Sequence, residues 1–175
     1  MACDISLGRL EPCKDSNGGL RAIYFINYES GLYDNATIVD DEIQDLASPV
    51  NCYKYELKGA NSFDEANENS RENGSSFWTG TGTFVFKKQD LATQAELKIL
   101  SYGRPQMILE DYNGNFRLAG TKNGCDCVVN TASGSAMGDL NGYNITSTSG
   151  EGDIAFFIDS DLIGNEDGFP IVEGV

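Results

Sequence analysis

The dipeptide Asn113-Gly114 stands between two short runs of mixed apolar and polar residues, Gln106 to Tyr112 and Asn115 to Ala119. Asparagine and glycine accept the positive φ angles of a type I′ turn, so this spacing predicts a two-residue β-hairpin. Further Asn-Gly pairs at 123–124 and 141–142 punctuate the later chain, and Gly142 to Ser149 (GYNITSTS) reads as another strand. The 20 glycines, 8 tyrosines and 9 phenylalanines against 4 prolines extend the argument to the whole sequence: many turns join short, aromatic-bearing strands. At 175 residues, 40% of them hydrophobic, the chain can bury one ordinary core. The expected class is mainly β, with one domain over residues 1–158.

Leu20 to Tyr28 (LRAIYFINY) is apolar at nearly every position, as in a strand covered on both faces or paired in the middle of a sheet. Cys52 to Lys58 alternates, with Tyr53, Tyr55 and Leu57 on one face and Lys54, Glu56 and Lys58 on the other. Phe77 to Lys88 resumes strand character, setting Thr79, Thr81, Thr83 and Val85 opposite Trp78, Phe84 and Phe86. Gly80 and Gly82 within it imply close backbone approach or a bend. Asp90 can cap a helix to Tyr102 whose apolar residues Leu91, Ala95 and Ile99 recur at i and i+4, with Gly103 and Pro105 to stop it. The acidic stretch Ser30 to Val50 fits a short helix or a long loop. The polar segment Asn61 to Ser76 reads as a mobile loop that serves contacts, and residues 159–175 as an acidic flexible C-terminal arm.

The chain contains no histidine, which removes the commonest general base, nucleophile activator and transition-metal ligand together. No GxxxxGK(S/T) phosphate-binding loop occurs. Cys125-Asp126-Cys127 offers two thiolates, short of the four ligands of structural zinc, and the other cysteines are spaced wrongly. Asp111 to Asn115 resembles the start of a calcium loop with its glycine and distal glutamate misplaced, so a hairpin turn explains it better. The pairs Glu110-Asp111 and Asp40-Asp41 point to opposite faces of a strand and cannot flank a glycosidic bond. Tyr53, Tyr55 and Trp78 are the residues that a glycan-binding module would use, with core packing as their other role. The expectation is a protein that is not an enzyme, without catalytic, cofactor-binding or metal site residues and without a cofactor.

Twelve basic against 27 acidic residues give a formal charge of −15, which opposes close binding to nucleic-acid phosphates or anionic membranes. The same charge suits a surface that DNA must pass without sticking. The opening residues lack a basic segment followed by an apolar stretch, and no run approaches the roughly 18 apolar residues of a membrane span. The expectation is a protein made in the cytoplasm that leaves it only inside a larger particle. Five cysteines, an odd number, without CxxC spacing are expected as free thiols.

Four strings carry a resemblance: MACDISLGRLEPCKDSNGGLRAIYFINY, YKYELKGANSF, LEDYNGNFRLAG and GSAMGDLNGYNIT. Together they resemble virion structural proteins from phages and prophages of Bacteroidota hosts, including crAss-like phages, over most of residues 1–150. The hairpin ending in YNGNF, the following glycine turn and the closing GDLNGYNIT strand are also similar to phage tail-tube proteins and their relatives in head-tail rings. The resemblance implies a small β-sandwich or partly open β-barrel with one α-helix, whose strands join those of neighbours around a lumen. It further implies homo-oligomeric, hexameric rings stacked as a tail tube in the virion, in contact with other tail or head-tail connector proteins. Double-stranded DNA would pass through the lumen without specific binding, past carboxylates that repel its phosphates. A head decoration or lining protein, a head-tail ring protein and a glycan-binding module are the alternatives.

Overall fold

The computed structural model describes residues 5, 7–172 and 174. The fold is mainly β, a sandwich of two sheets that do not close into a barrel, with one α-helix among the described residues. The strands are β1 (Leu20–Ile26), β2 (Thr37–Val39), β3 (Glu42–Asp45), β4 (Cys52–Glu56), β5 (Ser62–Ser70) and β6 (Ser75–Lys87) before helix α1 (Leu91–Tyr102). After it come β7 (Gln106–Asp111), β8 (Phe116–Ala119), β9 (Cys125–Ala132), β10 (Gly142–Glu151), β11 (Phe156–Ile158) and β12 (Ile171–Val172). The larger sheet has the order β12-β4-β1-β7-β8-β11-β3-β2, and the smaller one β5-β6-β10-β9.

β1 is central in the larger sheet, antiparallel to both β4 and β7. Its continuous apolar run follows from burial on both faces. Ile23 and Phe25 join Met107, Leu109, Phe84, Phe86, Tyr143 and Ile145 in the core between the sheets, whereas Ala22, Tyr24 and Ile26 join Ile43, Ile108, Leu118 and Phe169 in a second core on the other side. β4 behaves as its alternation predicts at Tyr55 and Leu57, which face the inter-sheet core, while Tyr53 on the same side is partly exposed.

Four expectations are corrected. Residues 159–172 are a folded cap on the second core instead of a free arm: Leu162 and Phe169 are buried, and Val50 and Cys52 donate backbone N–H bonds to the carbonyls of Gly168 (2.9 Å) and Pro170 (3.0 Å). β12 then pairs parallel with β4. The acidic residues between these anchors face outward, so charge density alone misrepresents the segment. Asn61 to Ser76 is not a loop, because Ser62–Ser70 forms a ladder with β6 from Ser62↔Thr83 to Ser70↔Ser75. An edge strand that stays largely in solvent needs few apolar side chains.

The third correction concerns the β7–β8 turn. It is a three-residue loop: Asp111 donates to Asn115 O (3.1 Å), Gly114 donates to Asp111 O (3.4 Å), and Gly114 alone adopts positive φ (85°). The Asp111 carboxylate accepts the backbone N–H groups of Asn113 and Asn115, each at 2.8 Å, which favours this longer loop closed by a left-handed glycine. The two-residue positive-φ turn lies at Asp40 (52°) and Asp41 (63°), joining β2 to β3 within the stretch assigned to a helix or loop.

The fourth correction is the orientation of α1. Its bounds and caps follow the sequence: Asp90 Oδ1 accepts from Thr93 N at 2.8 Å, and Gly103 closes the last turn onto Ile99 O at 3.2 Å. The buried residue is Leu97, backed by Leu100, while Leu91 (86% exposed) and Ile99 (65% exposed) face solvent. At 100° per residue, Leu91, Ala95, Ile99 and Tyr102 form one outward stripe opposite Leu97.

Candidate assembly surface

The smaller sheet divides its two faces by strict alternation. Phe63, Gly82, Ser147 and Cys127 form one cross-strand row toward the core, and Glu65, Gly80, Ser149 and Cys125 the next. The outward rows are Asp64-Thr81-Thr148-Asp126 and Ser62-Thr83-Thr146-Val128, flanked by Ala66-Thr79 and Val85-Asn144-Asn130. Side-chain hydroxyls dominate this face. Its carboxylates are Asp64, Glu68 and Asp126, and its cation is Lys87, at the end of β6. Glu68 accepts from Thr79 Oγ1 at 2.9 Å, which ties β5 to β6 across the surface.

The inward glycines allow the aromatic rings of the core to lie on the backbone. A β-carbon at Gly80 would come within 2.5 Å of Ser149 Oγ and 2.7 Å of Phe63 Cζ, and one at Gly82 within 2.5 Å of both Phe84 Cζ and Ser147 Oγ. Close approach is therefore why glycine recurs here.

The two sheets end differently. The larger one terminates in β12 and β2, with two and three residues, whereas the smaller one terminates in β5 and β9, with nine and eight. The Cys125 N–H points away from β10, to Pro105 O at 2.8 Å. By alternation the N–H groups of Cys127, Val129 and Thr131 point to the same side, which has no neighbouring strand and along which α1 packs. Two long edges without a partner strand are a template for pairing with other chains.

Buried polar groups between the sheets brace the sandwich. Arg117 of β8 pairs with Glu65 of β5, whose other oxygen accepts Ala155 N at 3.0 Å. Glu151 Oε1 accepts the N–H groups of Lys122 (3.1 Å) and Asn123 (2.8 Å). On the far face, Tyr24 donates to Glu110 (2.8 Å). Burial first and this bond second push the Tyr24 hydroxyl pKa up.

A second feature is a cleft of about 590 Å³ between α1 and the β1–β4 end of the larger sheet, lined by Phe25, Tyr53, Tyr55, Glu96, Ile99 and Arg104 among others. Arg104 stacks over the Tyr28 ring at 4.2 Å.

The residues that the sequence marked for chemistry are dispersed among these elements. Cys125 and Cys127 both face the inter-sheet core, where burial raises their thiol pKa values, that of Cys127 to about 12, and holds both protonated at neutral pH. Among the described residues no group of three or more His, Cys, Asp or Glu side chains is placed to hold a metal ion. Asp111 is occupied by its turn: burial raises its pKa, but the N–H groups of Asn115 and Asn113 outweigh it, leaving the pKa below the usual value. Tyr55 packs between Phe25 and Phe86 with both ring centroids at 5.3 Å. Tyr53 borders the cleft whereas Trp78 lies in β6 of the other sheet, so the three aromatics share no platform. The outward hydroxyl face was visible in the sequence only as alternation in Thr79, Thr81 and Thr83; its continuation across Thr146 and Thr148 needs the β6–β10 register. Comparison of the chain with family models, with curated proteins and with solved structures gives no match.

Proposed function

We propose that this chain is a structural subunit of a phage virion that assembles head to tail into rings, stacked as a tail tube that forms a channel for genome passage. The observation that carries the proposal is the smaller sheet, which ends in two long strands without a partner strand and has an outward face of hydroxyls and sparse carboxylates. β5 and β9 differ in sequence and length, so pairing β9 of one copy to β5 of the next is heterologous and closes into a ring when the rotation fits. The smaller sheets then line the lumen. The resemblance of the sequence strings to virion proteins supports the same reading and adds sixfold rings and tail or connector partners.

Negative-stain electron microscopy of the purified protein across a concentration series, with light scattering alongside, tests the proposal. Hollow rings or tubes are expected, and Val129→Pro, which removes an N–H on the open side of β9, should leave folded monomers. A homogeneous monomer at every concentration, or rings indifferent to Val129→Pro in a variant with native circular dichroism, overturns it.

A further inference from the structure

The cleft beside α1 is an apolar recess without a cover among the described residues. Tyr53 and Ile99 are both exposed at its margin, and the stripe of Leu91, Ala95, Ile99 and Tyr102 continues the apolar surface along the helix. A helix turned with its apolar stripe outward leaves that surface for another body to bury.

The same chain carries a segment that matches it. Ile5 (96% exposed), Leu7 (86%) and Leu10 (92%) stand in solvent ahead of β1, and the described residues from Leu7 to Gly18 are exposed throughout. The segment is tied to the body at Asn17, which exchanges two 2.8 Å hydrogen bonds with the Asn113 side chain. Its charges alternate around Leu10, with Arg9 before it and Glu11 after it. The cleft presents the opposite pair, Glu96 and Arg104. Neither Glu96 nor Arg9 makes an ion pair or side-chain hydrogen bond among the described residues.

We infer that this cleft is the docking site for the segment Leu7 to Glu11 of a second copy of the chain, an inference that rests on the self-assembly reading. Leu7 and Leu10 enter between Tyr53 and Ile99, Arg9 faces Glu96, and Glu11 faces Arg104. The segment leaves its own body at the Leu20 end of β1, whereas the cleft lies at the Ile26 end, about 20 Å away along a strand of this length. Its own cleft is reached only by doubling back over the sheet, while a neighbouring copy presents the same cleft without that reversal. Burial of two leucines offsets the repulsion between copies that each carry −15 charge.

Cross-linking between two populations of full-length chain tests this. Both carry Cys3→Ser; the first also carries Cys13→Ser and Ile99→Cys, and the second keeps Cys13, which is exposed, while Cys52, Cys125 and Cys127 are buried. A short bis-maleimide is expected to join the two populations with a yield that rises with concentration. Leu7→Ser with Leu10→Ser in the second population lowers it by about tenfold or more. Glu96→Arg in the first population lowers it too, and Arg9→Glu in the second restores it. Absence of the mixed product, or a yield indifferent to the leucine and charge substitutions, overturns the inference. So does efficient, concentration-independent linkage within single chains that carry both Cys13 and Ile99→Cys. Imaging the same populations with Val129 intact separates the two readings: linkage without rings leaves the docking site standing and removes the sheet-edge ring, and rings without linkage do the reverse.

Discussion

Gly82→Ala isolates the close contact that sets the spacing inside the smaller sheet. Gly82 lies between Ser147 of β10 and Phe63 of β5, with its missing side chain directed at the core. A methyl group there would sit 2.5 Å from Phe84 Cζ and 2.5 Å from Ser147 Oγ. Phe84 and Ser147 are each 0% exposed, so neither can swing into solvent. Gly82 is outside the left-handed region, so the substitution carries steric cost alone. Overpacking of this kind costs ~1–3 kcal/mol. Restricting the unfolded chain offsets ~0.4–1 kcal/mol of that. With both neighbours fixed the upper part of the range applies, for a net loss of about 2 kcal/mol and a Tm lower by ~4–8 °C in a chain of this size. Urea and thermal unfolding measure it, with an unchanged m value. Ser147 Oγ is buried without a hydrogen-bond partner, so Ser147→Ala relieves one of the two contacts at little cost. The double variant should then recover about 0.5–1 kcal/mol relative to additivity. A neutral or stabilising Gly82→Ala would refute the reasoning.

Phe169→Ala empties a fully buried site in the second core and should cost ~3–5 kcal/mol; an unchanged urea midpoint would mean that the C-terminal cap does not hold the fold. Gly114→Val places a β-branched residue at a φ of 85° and should cost ~1–2 kcal/mol through strain alone, since no atom lies within 4 Å of its β-carbon; unchanged stability would reject the turn geometry. Alkaline pH should destabilise the fold through its buried thiols. Burial raises the thiol pKa of Cys52 to about 11, of Cys127 to about 12 and of Cys125 further still, so their contribution is full below the unfolded value near 9 and is lost as pH rises through the folded values. Three such thiols remove roughly 4 kcal/mol per pH unit once the unfolded groups are ionised. Equal urea midpoints at pH 8 and 10.5 would contradict this.

Much of the scaffold was legible in local pattern. β1 needed only its unbroken apolar run, and α1 only Asp90 and Gly103 at its ends. The glycines of β6 signalled close approach because no other residue leaves that space. What failed was inference from composition and from spacing without a partner. Ser62–Ser70 is polar because an edge strand exposes most of its side chains, and the 159–172 cap was hidden because its few apolar anchors, Leu162, Phe169 and Ile171, are diluted by acids. The i, i+4 stripe of Leu91, Ala95 and Ile99 is real, but periodicity reports that a stripe exists and not which body covers it. The hairpin at Asn113-Gly114 took its turn type from Asp111, a residue outside the dipeptide.

The electrostatics of the candidate lumen follow from the same register. Of 27 acidic residues, only Asp64, Glu68 and Asp126 stand in the outward face of the smaller sheet, against Lys87 at one end. Most of the net charge of −15 therefore lies elsewhere on the chain. A wall of this kind acts less as a dense negative surface than as a hydroxylated one with scattered carboxylates. At physiological ionic strength the field of each carboxylate fades over about 8 Å, so it acts on a phosphate that touches the wall and scarcely on one at the channel axis. Threonine hydroxyls already hydrated by water gain little from exchanging it for phosphate, and without clustered Lys or Arg there is no counterion release to favour adhesion. In the proposed tube, passage without trapping would depend on the near absence of cations from β5, β6, β9 and β10 more than on the acidity of the chain as a whole.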